Sequence, residues 1–190
     1  MNIQKIVTGI VVLSIVSFVG VAKAERQYKG KYVATKGWAK TVETARLERG
    51  DAPQQQGRFR LVLVHQDWDE LTEEEKATTY RRLNMSGVLT GSVSLQTFKA
   101  AHVFVNKSRS GVMYSADDTL IPSEGDYFCS QGVPLTGVEE IKLTEGTGEY
   151  ANLIGGSIFV EGVVNMCPGD EDYRKNTFSV QAGEGYIEFN

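Results

Sequence analysis

Glu161 is the side chain whose type and spacing best fit acid–base chemistry in this sequence. It alternates with Phe159 and Val163, so the three side chains share one face of a β-strand. If that face lines a lumen, the carboxyl group sits in apolar surroundings that favour its protonated form, and it can donate or accept a proton. If that face is the outer one, Glu161 lies in water beside apolar neighbours, and the sequence leaves both alternatives open.

The two histidines, His65 and His102, do not form a motif that predicts a metal site. Each ends or interrupts a strand candidate, so a third ligand would have to come from a distant carboxylate. The acidic runs at residues 67–70 and 170–172 offer oxygen ligands but lack the spacing of a calcium-binding EF-hand. We therefore predict no bound metal.

Familiar catalytic and cofactor motifs are also missing from the sequence. It contains neither the Gly-x-Ser-x-Gly elbow of acyl-transfer enzymes nor the His-Glu-x-x-His of zinc proteases. Residues 146–151 match the residue pattern of a dinucleotide-binding motif. In that motif a helix follows, and its N-terminus binds the pyrophosphate, whereas here a strand is predicted to follow. We predict no cofactor. The aromatic side chains of Tyr32, Trp38 and Tyr127 are candidates to line a pocket, with core packing as the alternative.

Cys129 and Cys167 are the two cysteines of the chain. No histidine lies near either of them in the sequence to suggest a metal site or a nucleophile pair. We expect one disulfide bond between them, and two separately buried thiols are the alternative.

Short stretches rich in β-branched and aromatic residues alternate with turn clusters along the chain, which is typical of an antiparallel all-β protein. The four prolines are predicted to fall between strands. The predicted strands cover residues 28–35, 38–47, 57–65, 87–95, 100–106, 111–115, 126–130, 138–143, 156–165, 177–181 and 186–189.

One short helix interrupts this pattern. Thr72 followed by Glu75 forms a capping box, in which each side chain bonds a free backbone N–H of the first turn. Ala77, Tyr80 and Leu83 supply only a narrow apolar stripe, so the helix is predicted to lie on the surface as an accessory element.

Residues 146–150, with Leu153, Gly155 and Gly156 and the strand that follows, resemble the GTG-x-[YF] hairpin of the barrel superfamily that includes dirigent proteins and allene oxide cyclases. The resemblance implies an antiparallel up-and-down, calycin-like β-barrel of about eight strands, with a lumen that takes an apolar small molecule. It carries over no catalytic residue.

Residues 1–24 have the order of a signal peptide: Lys5, an apolar run, and a small-residue site that ends at Ala24. The run is shorter than the roughly 20 residues of a spanning helix, so we expect cleavage after Ala24 and no stable membrane span. An uncleaved anchor is the alternative. Residues 25–190 then form one domain, secreted or periplasmic, with 18 basic and 24 acidic side chains and a net charge of −6. This acidic balance argues against a nucleic-acid partner.

Together these features predict an exported barrel that binds a small apolar ligand in its lumen, with Tyr32, Trp38, Tyr127, Phe159 and Glu161 as candidate ligand contacts. Two alternatives stay open. The first is a structural or interaction module that acts through its surface, and the second is a cyclase-like or isomerase-like enzyme with Glu161 as acid or base. The oligomeric state is not predicted.

Overall fold

The structure is a computed structural model that describes residues 25–190, and the predicted signal peptide lies outside the described residues. Within this range the chain forms nine β-strands, one short α-helix and two single 3-10 turns. The elements are β1 (Gly30–Glu43), β2 (Gln54–His65), α1 (Glu73–Thr78), β3 (Arg82–Val93), β4 (Ala100–Asn106), β5 (Gly111–Ser115), β6 (Thr119–Glu124), β7 (Leu135–Gly148), β8 (Leu153–Val164) and β9 (Lys175–Phe189).

Eight of these strands close into an antiparallel barrel, and β6 is an additional strand. Each strand pairs with its neighbour in the chain up to β5, then β5 pairs with β7, and β9 pairs back onto β1. Closure leaves the barrel with few unpaired strand edges. The predicted all-β, up-and-down barrel of about eight strands with one short helix is confirmed.

The strands β5 and β6 share one edge of β7. Near one end of the barrel Gly111 pairs with Gly148, and near the other end Ile121 pairs with Val138. The chain turns between β5 and β6 at Asp117, which has a φ of 57°. Pro122 lies inside β6, so the prediction that every proline falls between strands is wrong. An edge strand tolerates proline because its outer side needs no ladder hydrogen bond.

Several strand boundaries differ from the prediction. The predicted strands 28–35 and 38–47 are one strand, β1, with an irregularity between Ala34 and Lys36. The predicted strands 177–181 and 186–189 likewise form β9. Residues 126–130 are a turn, because the Asp126 carboxylate accepts backbone N–H bonds from Phe128 and Ser130. Local side-chain hydrogen bonding of this kind competes with strand pairing.

The capping box of α1 is confirmed. Thr72 accepts a bond from the Glu75 backbone N–H, and the Glu75 carboxylate accepts one from the Thr72 backbone N–H. The helix ends at Thr78, earlier than the apolar stripe indicated. Leu83 is fully buried and belongs to β3, where it faces the barrel core.

An aromatic cluster fills the end of the barrel near α1, here called the closed end. Tyr28 packs against Tyr32, Tyr150 and Phe189 with ring centroids 5.4 to 5.9 Å apart. Tyr150 is fully buried, and a Cβ at Gly146 would lie 2.1 Å from its carbonyl oxygen. Glycine in the GTG hairpin therefore leaves space for the chain to fold back and insert Tyr150 into the barrel.

Cys129 and Cys167 form the predicted disulfide bond, with their Cα atoms 5.1 Å apart. The bond joins the β6–β7 loop to the β8–β9 loop at the end of the barrel opposite the aromatic cluster. Within residues 25–190, no helix has the length and apolar character required to cross a bilayer.

Candidate functional site

A cavity of about 500 Å³ opens at the end of the barrel opposite the aromatic cluster, here called the mouth. The strands β1, β3 and β8 end there, while β2, β7 and β9 begin there. Its walls are largely apolar and include Val93, Leu120, Leu135 and Val164. Leu95, Phe98 and Phe128 also line it and are exposed at its rim. The cavity is therefore a one-ended apolar pocket inside the barrel.

Three side chains form the floor of this cavity: Gln55 from β2, Glu139 from β7 and Phe178 from β9. The same three residues border a smaller void of about 30 Å³ on the other side, deeper in the barrel. His102 lines that smaller void, next to Phe104 and Ile141. The floor thus separates a ligand-sized space from a residual void in a packed core.

Asp118 and His102 form a buried hydrogen-bonded pair behind the floor. The His102 Nδ1 atom is 2.7 Å from Asp118 Oδ2, and both side chains are almost wholly buried. Asp118 Oδ1 accepts the Lys142 backbone N–H at 2.7 Å, and Oδ2 also accepts the Ser115 hydroxyl. Both Asp118 oxygens therefore accept hydrogen bonds, and this network assigns the tautomer of His102 in which Nδ1 carries the proton.

A chain of side-chain hydrogen bonds reaches His102 from the cavity wall. The Asn176 amide donates to Thr41 Oγ1 at 3.2 Å, and the Thr41 hydroxyl donates to Gln55 Oε1 at 2.6 Å. The Gln55 Nε2 atom lies 3.1 Å from His102 Nε2. With Nδ1 protonated, His102 Nε2 accepts from Gln55. Each residue of this hydrogen-bonded series therefore donates to the next one, and the last acceptor is Asp118.

Glu139 lies between this network and the cavity. Its side chain is 7% exposed, and its Oε1 atom is 3.9 Å from His102 Nε2. Among residues 25–190 no hydrogen-bond donor reaches its carboxylate. A buried carboxylate normally has such partners, so the open acceptor positions of Glu139 face the cavity that it lines.

The protonation of Glu139 and His102 is coupled. Burial raises the pKa of Glu139, and the charge of Asp118 adds to that rise, while His102 opposes it. Burial alone would lower the pKa of His102, but the Asp118 hydrogen bond and the charges of Glu139 and Asp118 raise it overall. Both groups therefore hold a proton more tightly than in water, and the charge of each affects the pKa of the other.

A second carboxylate, Glu43, borders the mouth and is fully paired. Its Oε1 accepts the backbone N–H groups of Ala45 and Gln54, at 2.8 and 2.9 Å. Its Oε2 accepts the Tyr127 hydroxyl. Burial and this bond to a carboxylate raise the pKa of Tyr127. Glu43 therefore has a structural role that Glu139 lacks.

His102, Asp118 and Glu139 each offer a ligand atom of the kind that divalent metals bind, and these atoms lie within 4.8 Å of one another. Asp118 already bonds His102 Nδ1, which is the arrangement of an outer carboxylate that orients a ligating imidazole. A metal facing the cavity would then have His102 and Glu139 as its protein ligands. That is one fewer than the three of catalytic zinc sites.

The sequence-predicted ligand contacts lie in different parts of the barrel. Tyr127 lines the cavity at the mouth. Tyr32 is buried at the closed end, where its hydroxyl donates to the Tyr80 carbonyl at 2.6 Å. Trp38 is 40% exposed on the outer face of β1, although it borders the small void.

Phe159 and Glu161 lie on the outer face of β8. Ile158 and Val160, which alternate with them, are buried in the core. Glu161 is exposed, so of the two alternatives for its face the structure has the outer one, and neither Phe159 nor Glu161 lines the cavity. The Phe159 ring instead covers Gly185, at which a Cβ would lie 3.1 Å from two ring carbons. Phe159 is therefore an apolar side chain on the outer face because its ring shields a glycine of the neighbouring strand.

Sequence reasoning missed Asp118 and Glu139. A signal for Glu139 was present, because it alternates with the buried Leu135, Ile141 and Leu143 along β7 and so shares their face. Asp118 had no such signal, because it follows Asp117 in what reads as a polar turn.

Comparison with known proteins finds no family model, no curated protein and no solved structure that matches this chain. The geometry of the cavity is therefore the basis on which a function is assigned.

Proposed function

We propose that the barrel binds a small, largely apolar molecule in the cavity at its mouth. The observation that carries this proposal is the cavity itself, about 500 Å³ and open at one end. Its volume is within the range of about 300 to 1,000 Å³ typical of small-molecule sites, and such sites combine apolar walls with a few polar groups. Here the walls are apolar and the floor carries Gln55 and Glu139.

The rim of the cavity supports the same proposal. Phe98 and Phe128 are 71% and 59% exposed, and Leu95 stands beside them at the mouth. Single exposed apolar residues are common on protein surfaces, but a group at the opening of a cavity is a feature of ligand-binding sites. The closed half of the barrel is filled by side chains, as a purely structural module requires, whereas the mouth half is not.

Native mass spectrometry of the mature protein, purified from its own host before and after organic extraction, tests this proposal. We expect an adduct that extraction removes, together with a fall in thermal stability when it leaves. The variant Val164→Phe, which fills the cavity from β8, should lose the adduct. Val163→Phe is the matched control because it changes the neighbouring residue on the other face. Equal occupancy in the two variants would place the ligand elsewhere.

Acid–base catalysis on the bound molecule is a second candidate function. The observation that favours it is the Asp118–His102 pair beside Glu139, which places two groups that can exchange a proton next to the cavity floor. In this candidate Glu139 replaces Glu161 as the acid or base, because Glu161 lies on the outer face. Returning the extracted ligand to the protein in D₂O tests it. Deuterium on a ligand carbon with the wild type but not with Glu139→Gln supports catalysis, and no incorporation in either leaves binding alone.

We propose further that the protein is exported, secreted or periplasmic. The disulfide bond supports this, because such bonds persist in oxidising compartments. The signal-peptide pattern of residues 1–24 supports it from the sequence. The measured mass of the protein from its own host should correspond to a chain that begins at Glu25, and a full-length mass would indicate the uncleaved anchor.

A relationship to the superfamily of dirigent proteins and allene oxide cyclases is also a proposal. It is supported by the GTG hairpin at the β7–β8 turn, where Gly146 and Gly148 make room for the chain and Tyr150 inserts into the barrel. An experimental structure superposed on barrels of that superfamily tests it. The hairpins should coincide when the strands are aligned in order. A different strand register would contradict the proposed relationship.

A further inference from the structure

We propose that the molecule bound in the cavity is an amphiphilic organic cation, an amine whose ammonium group pairs with Glu139 while its apolar body lies along the cavity walls. This inference rests on the proposed binding function and adds to it the chemical class of the ligand. It is carried by the sign of the charges that line the cavity, by the open acceptor positions of one buried carboxylate, and by the aromatic side chains of the walls.

The charged side chains that line the cavity are all acidic. Glu43, Asp126 and Glu139 line it, and within the described part of the chain no lysine, arginine or histidine does. His102 borders only the small void beyond the floor. Charges interact strongly in an enclosed site of low effective dielectric constant. A cationic group is therefore attracted to this cavity, and a carboxylate or phosphate group is repelled.

Glu139 is the group that has capacity left for a ligand. Glu43 accepts three hydrogen bonds from the protein, and Asp126 accepts those of its own turn. Glu139, in contrast, is more than nine-tenths buried and receives no hydrogen bond from any described residue. No fully buried side-chain oxygen among the described residues lacks a hydrogen-bond partner, so the unpaired Glu139 carboxylate is accessible from the cavity, where the donor of a ligand can reach it. An ammonium group supplies three N–H donors and a compensating charge.

The walls suit the rest of such a molecule. Phe98, Tyr127, Phe128 and Phe178 line the cavity among aliphatic residues. Aromatic faces attract cations, and the same rings bury the apolar body of an amphiphile. Because Glu139 lies at the floor and the exposed aromatic residues lie at the rim, the cationic group enters first and the apolar body lies toward the mouth.

Calorimetric titration with three ligands of equal chain length tests this inference on the disulfide-bonded protein after organic extraction. The probes are octylammonium, octanol and octanoate, which share an eight-carbon chain and carry a cationic, a neutral and an anionic polar group. We expect octylammonium to bind about tenfold more tightly than octanol, as one added charge-assisted hydrogen bond implies, and octanoate to bind more weakly than octanol.

The variant Glu139→Gln assigns the preference to one side chain. It should bring the octylammonium affinity to within about twofold of the octanol affinity, because the charge is lost and the shape is kept. The matched control is Glu161→Gln on the outer face of β8, which should leave all three affinities unchanged. Because affinity is compared among three ligands on the same protein, a general loss of folding in one variant does not imitate the expected result.

The outcomes separate this inference from the proposed function. If octanol binds as tightly as octylammonium, the cavity binds apolar molecules but the cation inference is wrong. If octanoate binds best, the charge argument is reversed and the inference is also overturned. If none of the three binds and Val164→Phe has no effect on the native adduct, both the inference and the proposed lumen site fail.

Discussion

The Tyr127 hydroxyl donates a hydrogen bond to the Glu43 carboxylate, although 84 residues separate them in the chain. This bond ties the β6–β7 loop, which carries Tyr127 and Phe128, to the end of β1. The disulfide bond between Cys129 and Cys167 ties the same loop to the β8–β9 loop. One loop of the mouth is therefore held from two sides, by a charge-assisted hydrogen bond and by a covalent link.

Removing the hydroxyl in Tyr127→Phe should destabilise the protein by about 1.5 to 3 kcal/mol, the range for a hydrogen bond to a charged group. Glu43 keeps its two backbone donors, so the fold itself is retained. Urea denaturation measures the change, and hydrogen exchange should locate faster opening in residues 125–134. The outer-face variant Tyr186→Phe is the control. Equal exchange in wild type and Tyr127→Phe would show that the bond does not hold the loop.

Loss of the disulfide in the double variant Cys129→Ser/Cys167→Ser should lower the free energy of unfolding by up to about 4 kcal/mol, because the bond closes a loop of 38 residues. Dithiothreitol should lower the denaturation midpoint of the wild type to that of the variant and leave the variant unchanged. A variant as stable as the oxidised wild type would mean that native packing alone fixes the two loops.

Stability should fall steeply as the pH rises above about 10. Burial raises the pKa of Tyr28 and of Tyr32 from 10.0 to about 12, and it also raises the pKa of Tyr150. A tyrosine with a raised folded-state pKa contributes stability below the unfolded pKa and loses it as the pH rises through the folded value. Each such group lowers the free energy of unfolding by about 1.4 kcal/mol per pH unit in that window.

Denaturation midpoints measured from pH 8 to pH 12 check this expectation. The variant Tyr32→Phe should show a shallower decline than the wild type, because one titrating group is gone. Tyr173→Phe, which removes an exposed tyrosine, should leave the slope unchanged. Parallel slopes in all three proteins would exclude ionisation of the closed-end tyrosines as the cause.

Asp118→Asn should destabilise the protein by about 3 kcal/mol or more, because the amide has one acceptor oxygen in place of the two that serve His102, Ser115 and the Lys142 backbone N–H. It should also lower the pKa of His102, whose rise depends on the Asp118 hydrogen bond. NMR titration of the imidazole measures the pKa. The exposed neighbour Asp117→Asn is the matched control and should change stability by less than about 0.5 kcal/mol.

The pH dependence of that destabilisation has a definite sign. A raised His102 pKa contributes stability that is fully present below its unfolded pKa, near 6.5, and is lost as the pH rises through the folded pKa. Glu139, whose pKa is also raised, acts in the same direction. These two groups, with Asp118, are the titratable groups of the cluster. Asp118→Asn should therefore destabilise more at pH 5.5 than at pH 8, and the reverse order would contradict the assigned shifts.

The elements that depend on local sequence were predicted well. The capping box of α1 involves residues three apart, and the strands were predicted from the alternation of apolar and polar side chains. Neither prediction requires knowledge of the tertiary fold. The disulfide was predicted from the oxidising compartment that the signal-peptide pattern indicates and from the absence of a histidine near either cysteine. In contrast, the split between β5 and β6 depends on a single positive φ at Asp117, which no residue pattern in that turn indicated.

The site was predicted poorly because inner and outer faces were not distinguished. Both faces of β8 carry apolar residues, so alternation there did not reveal which face encloses the lumen. On β7 the pattern was clearer, because Glu139 alternates with three buried aliphatic residues, but the sequence does not show that this face borders a cavity. The Asp118–His102 contact joins residues 16 apart across a turn and arises only when β4 and β5 pair.

The aromatic cluster of Tyr28, Tyr32, Tyr150 and Phe189 makes the barrel blind at one end. If the barrel binds a molecule in its lumen as proposed, that molecule leaves through the opening by which it entered, so the barrel is a container and not a conduit. Loading and unloading then compete for the same opening. A donor and an acceptor of that molecule would then use the same rim, formed by Leu95, Phe98 and Phe128.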